Sequence, residues 1–201
     1  MTTDSITAQT AIAPALPLPP GDWTLDATHS TVSFWLRQLA VSKARGRFNR
    51  FEASIDVGAT VDDARVTATI DAASIDTGNA GRDAHLRTAD FLDVARFPEL
   101  TFVSTGISGE GDQWTMVGDL TVSGQTRPVS FAVELGGISE PLDLPPGHPL
   151  RGMRHAGFGA RGKIDRRDFD LTWTVPPGTS KVLGDVIHFE LDLHLVAPAA
   201  D

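Results

Sequence analysis

Arg82, Asp83, His85 and Arg87 crowd into one short stretch of the chain. Two guanidinium groups and an imidazole at that spacing can hold an anionic or carbonyl oxygen. Arginine offers a planar fork of charge-assisted donors, and histidine adds one more. Asp83 and His85 could instead serve as an acid–base pair. The plainer alternative is an Arg82–Asp83 surface ion pair beside a His85 that caps a helical turn, since exposed ion pairs are common and weak. Arg37 and His29 are lesser candidates for the same polar role. Asp165-Arg166-Arg167-Asp168 reads as a solvated turn whose alternating charges satisfy one another.

Other chemistry is thinly represented. The chain has no cysteine, which removes disulfides, thiolate metal sites and cysteine nucleophiles. It contains no Gly-x-Ser-x-Gly, no His-Glu-x-x-His and no phosphate-cradling Gly-x-x-x-x-Gly-Lys-Ser/Thr loop. His188 and His194 fall on the polar face of one alternating segment but stand well apart, so they read as surface residues. His148 and His155 sit in an irregular stretch without nameable co-ligands. No catalytic group, metal site or cofactor is therefore assigned, and the chain is read as a non-enzyme.

The elements that must position these residues are strands. Val32, Phe34 and Leu36 share a face, and Phe51–Val57 and Val66–Ile70 alternate in the same way. Trp114, Met116, Leu120 and Val122 share a face, as do Val129, Phe131, Val133 and Leu135, and so do Ala156, Phe158 and Ile164. The last segment carries Ile187, Phe189, Leu191, Leu193 and Leu195 on one side and His188, Glu190, Asp192 and His194 on the other. This period of two means strands with one dry and one wet face, which favours antiparallel pairing. About eight such segments with regular turn signals, Pro176-Pro177-Gly178 among them, suggest a barrel or sandwich. Residues 79–93 break the period and predict one or two short helical turns ending before Phe97-Pro98. The stretch from Ser139 to Arg154, with Pro141, Pro145, Pro146 and Pro149, predicts a long loop.

Residues 1–20 hold no Lys or Arg and are broken by Pro14, Pro17, Pro19 and Pro20. They predict a disordered tail rather than an export signal, and hence a cytoplasmic protein, with the folded domain at 21–198. A formal net charge of −9 argues against nucleic acid as a partner.

Four segments resemble one family: LDATHSTVSFWLRQLAVSKARGRF, DAASIDTGNAGRDAHLRTADFLDVARFPELTF, GDLTVSGQTRPVSF and KIDRRDFDLTW. In this order, from about Trp23 to Val196, they are similar to the YceI-like family of lipid- and polyisoprenoid-binding proteins. The resemblance implies an all-β fold, an eight-stranded antiparallel lipocalin-like barrel lengthened into a tube. It also implies an isoprenoid ligand in an apolar channel, a polyprenyl chain or an isoprenoid quinone, in a carrier, store or sensor. Pairing as a homodimer is implied too, and the cytoplasmic reading adds at most transient membrane contact. Many relatives are secreted or periplasmic, whereas this chain shows no export signal. Its loop from Glu140 to Arg154 also lacks the family's Asp-Pro-Trp-Gly element.

On that basis the channel wall is expected from Val32, Phe34, Leu36, Ile55, Ile70 and Phe91. Phe102, Leu120, Phe131, Phe158, Phe189 and Leu191 would complete it. Arg82, His85 and Arg87 would meet the head group at the mouth. An isoprenoid chain offers only apolar surface, worth about 25 cal/mol per Å² buried, so its tunnel must hold no orphan polar groups. Ten Phe and no Tyr suit such a wall. Two alternatives stand beside this reading. One is a stress-associated protein with a filled barrel and no ligand, since dry-face residues are ordinary core in most proteins. The other is an enzyme acting on an isoprenoid through Asp83 and His85.

Overall fold

The alternating segments become strands of a single antiparallel sheet in the computed structural model, which describes residues 16–141, 143–148, 151–172 and 182–198. Three wall strands are each built from two pieces. β1 (Gly21–Leu25) and β2 (Thr31–Gln38) are separated by a 3-10 turn at Ala27–His29. β3 (Ser42–Phe48) and β4 (Phe51–Val57) bend at Asn49-Arg50. β5 (Arg65–Asp71) and β6 (Ile75–Asp76) flank a second turn at Ala72–Ser74.

The other wall strands are β7 (Glu99–Glu110), β8 (Gln113–Val122), β9 (Gln125–Ile138), β10 (Met153–Asp165) and β11 (Leu183–Pro198). β11 runs alongside both β1, with Leu25 opposite Leu195, and β2, with Val32 opposite Leu191. That pairing closes the expected barrel of 8 strands.

The expected helical turns in 79–93 are present. α1 (Ala80–Leu86) starts at Asn79, whose side chain accepts from the Arg82 N–H at 3.0 Å. The chain then doubles back, with the Leu92 N–H donating to the Leu86 carbonyl at 3.1 Å. The Ser123 hydroxyl holds this return by donating to the Phe91 and Leu92 carbonyls at 3.3 and 3.2 Å.

The barrel is packed unevenly along its axis. Its middle is filled by aromatic rings: Phe102 meets Phe131 edge-on at 5.6 Å between centroids, and Phe131 lies 6.4 Å from Phe189. Glycines on neighbouring strands make room for them. A Cβ at Gly118 would enter the Phe102 ring and strike the Val103 carbonyl oxygen. Gly118→Ala should therefore cost about 1–3 kcal/mol, read as a lower urea midpoint at unchanged slope.

One end is sealed by a second cluster. Trp23, Ala156 and Leu195 are each 1% exposed there, with Val57, Ala197 and Leu18 around them. The Trp23 indole N–H donates to the Pro19 carbonyl at 3.1 Å. Leu16–Pro20, expected as tail, thus belong partly to the seal: the apolar Leu18 completes a core that the domain alone leaves open. Residues 1–15 and the Pro176-Pro177-Gly178 turn lie outside the described residues.

A one-ended apolar cavity as the candidate functional site

At the opposite end, where α1 crosses the barrel, the core gives way to a cavity of about 130 Å³. Phe34 and Leu36 of β2, Ala44 and Phe48 of β3, and Ile187 and Phe189 of β11 form one side of it. Ile75, Leu100, Val122 and Ile164 form the other, and Leu86, Phe91 and Leu92 roof it. The wall is almost wholly carbon. Pockets for organic ligands are lined mainly by apolar side chains, so the lining suits a hydrocarbon guest. Beyond the roof the cavity runs into a mouth ringed by Gln38, Gly81, Arg82, His85 and Val182, which shares Arg82, Leu86, Phe91 and Leu183 with it.

A YceI-like domain matches residues 23–195. The chain belongs to the YceI-like family. Its relatives include Protein YceI of Salmonella newport (strain SL254), 37% identical over 158 residues that make up 78% of each chain. Campylobacter jejuni YceI is similar in structure, with a TM-score of 0.62 and 27% identity over 83% of this chain and 91% of that one. The fold is also that of Burkholderia cenocepacia BcnA, with a TM-score of 0.69 and 24% identity over 86% of this chain and 99% of that one. A polyisoprenoid-binding domain from Saccharophagus degradans shares it at a TM-score of 0.62 and 15% identity, covering 88% of this chain and 98% of its own.

Within this YceI-like barrel, the expected wall residues divide by depth. Phe34, Leu36, Phe91 and Phe189 line the cavity. Val32, Phe102, Leu120 and Phe131 are buried in the packed middle, with Ile55, Ile70 and Leu191 against them. Phe158 faces the sealed end with Trp23. Ile75, Leu86, Leu100, Val122, Ile164 and Ile187 also line the cavity and are absent from the expected wall, although alternation puts Val122, Ile164 and Ile187 on dry strand faces. Their signal was an apolar type near a strand end on the α1 side.

The polar residues also separate. Arg82 stands at the mouth, donating through Nε to the Thr77 hydroxyl at 2.7 Å and through Nη2 to the Thr77 carbonyl at 2.9 Å. His85 stands there too, 2.9 Å from an Asp90 carboxylate oxygen. Asp83 does not pair with Arg82 at the surface. It is buried and accepts from the Thr77 N–H at 2.9 Å and from the Thr77 hydroxyl, tying α1 to the wall.

Arg87 turns away from the mouth and donates to the Ala73 carbonyl at 2.8 Å and the Ile75 carbonyl at 2.7 Å. Its fork clasps the turn between β5 and β6. Arg87→Met should accordingly cost about 1–3 kcal/mol by leaving both carbonyls short of a donor, and a thermal melt should show the loss with or without lipid present.

The Asp165–Asp168 turn is solvated on one side only. Arg167 pairs with Asp165 and holds its carboxyl down to about 2. Arg166 instead points inward beside the cavity, donating to the Leu171 carbonyl and, at 3.0 Å, to Asp185. Phe169, 1% exposed, drags this turn into the core. His155, expected in the irregular loop, lies on β10, where its backbone N–H donates to the Ser139 hydroxyl at 3.2 Å.

Proposed function

We propose that this YceI-like protein holds the apolar chain of an isoprenoid lipid in the α1-end cavity, as a carrier, store or sensor of that lipid. A single observation carries the reading: a nearly all-carbon cavity, open at one end, in a barrel whose middle and far end are solid. Such a shape takes a hydrocarbon chain tail-first and leaves any polar head outside. Arg82 and His85 stand where that head would rest, and Arg82 suits a phosphate or a quinone carbonyl oxygen. The fold shared with a domain named for polyisoprenoid binding supports the same ligand class.

The β2–β3 hairpin tip supports loading from a lipid surface. Leu39 and Val41 are 54% and 81% exposed, and Gln38, next in the chain, borders the mouth. Two exposed apolar side chains at the entrance can dip into a bilayer for a brief contact, without the area needed for anchoring.

Native mass spectrometry of protein from its own host, followed by organic extraction, tests the proposal. A stoichiometric polyprenyl or quinone species is the expected result. A chain that stays bare after incubation with isoprenoid quinones and polyprenyl phosphates would overturn it and favour a barrel with no guest.

A further inference from the structure

We propose that Asp26, His29 and His194 form a binding site for one divalent transition-metal ion of the zinc type on the outer wall of the barrel. One ligand-capable atom from each of the three lies within 4.8 Å of the other two. Zinc bound by nitrogen and oxygen at about 2.0–2.2 Å in tetrahedral geometry holds its donors roughly 3.4 Å apart. Side-chain rotation of little more than an ångström would therefore close the group on an ion. Two imidazoles and one carboxylate are a donor set that suits zinc, copper or nickel rather than calcium or magnesium.

The backbone already holds the three residues in place. Asp26 caps the turn between β1 and β2, accepting from the Thr28 N–H at 2.9 Å, while its second carboxylate oxygen lies 2.8 Å from His29 Nδ1. His194, on β11, is pinned from both sides. Its carbonyl accepts from the Asp26 N–H at 2.8 Å, and its N–H donates to the Ser30 hydroxyl at 2.9 Å. Ser30 donates in turn to the Asp26 carbonyl at 2.7 Å. The break in the first wall strand thus brings residues far apart in sequence onto one rigid patch. His29 is exposed and the other two are half-buried, so an ion can enter from solvent and keep a water in its fourth position.

His155 is the positioning residue. Its Nδ1 lies 2.9 Å from His194 Nε2, across the β10–β11 pair. A metal-bound imidazole usually donates its second N–H to a nearby acceptor, which fixes the ring plane, and the His155 nitrogen is placed to accept it. The other ring nitrogen of His155 is buried and has no hydrogen-bond partner among the described residues, so nothing there competes for its orientation. The cluster lies on the outer face, apart from the cavity residues, and does not depend on what the barrel holds.

Calorimetric titration of EDTA-stripped protein with zinc chloride tests the site. The expected result is one zinc per chain. His29→Ala and Asp26→Asn should each weaken binding by at least the ~10–100-fold that loss of an outer-sphere partner costs, with circular dichroism unchanged. His155→Gln should weaken it about tenfold at an unaltered melting temperature. His85→Ala and His188→Ala should bind as the parent does. Absence of binding heat overturns the proposal. So does zinc binding that survives both His29→Ala and Asp26→Asn, or that is lost in His85→Ala or His188→Ala.

Discussion

Ala44→Trp is expected to weaken isoprenoid uptake several hundredfold while the barrel stays folded. Ala44 is half-buried on β3, pairs with Leu36 across the sheet and faces the cavity. An indole built there enters space that the native protein leaves to its guest. Each methylene of the guest shut out forfeits about 0.8 kcal/mol, so excluding about five of them costs ~4 kcal/mol, or several hundredfold in affinity. The substitution removes nothing from the core, so large-to-small penalties do not arise. If the indole cannot reach the cavity, overpacking shows instead as a loss of about 1–3 kcal/mol in stability. Ala132→Trp, on the exposed face of β9, is the control. Fluorescence titration with a quinone of long prenyl tail reads the affinity, and equal binding by both variants would place the guest elsewhere.

Trp23→Ala should have the opposite profile: a large loss of stability with little change in affinity. Trp23 is 1% exposed and anchors the sealed end through Val57, Leu195 and the Leu18 side chain of the leader. Removing a buried indole costs about 3–5 kcal/mol. For a chain of this size that lowers the melting temperature by on the order of 10 °C. Between Trp23 and the cavity stand Phe102 and Phe131, so a guest in the α1-end cavity never touches the indole. Below the transition, lipid affinity should match that of the parent. A fall in affinity comparable to that of Ala44→Trp would instead mean that the lipid threads the full length of the barrel.

These contrasts show what the sequence could and could not disclose. Alternation gives the parity of a strand, hence which side chains face inward, and it placed Phe34, Leu36 and Phe189 on the dry face correctly. It says nothing of depth. Phe189 and Leu195 share one face of β11, yet one borders the cavity and the other closes the far end. Depth follows from register, and register depends on bends such as the turn at Ala27–His29, which local propensity does not reveal.

The polar stretch from Arg82 to Arg87 was visible as a cluster. The helical period of α1 then sends its members to different tasks: Arg82 and His85 to the mouth, Asp83 and Arg87 into the frame. Arg166 illustrates the same limit. Its charged neighbours suggested water, and Phe169 three residues on supplied the inward pull. The grouping of Asp26, His29, His155 and His194 was the least legible feature, because it exists only once β11 lies against the broken first strand.

The seam between β1 and β11 has a kinetic consequence. Thr24 and Val196, which meet across it, are 172 positions apart. Loop-closure entropy must be spent before such a contact returns anything, and barrels dominated by non-local pairings fold in roughly milliseconds to seconds. The hairpins from β7 to β10 can form as soon as they leave the ribosome, but the ring waits for β11. Until then an open sheet exposes two unpaired edges and an apolar trough, the species most prone to aggregate or to recruit a chaperone. Substitutions that slow the seam, at Leu25 or Leu195, should therefore reduce soluble yield by more than their effect on equilibrium stability would suggest.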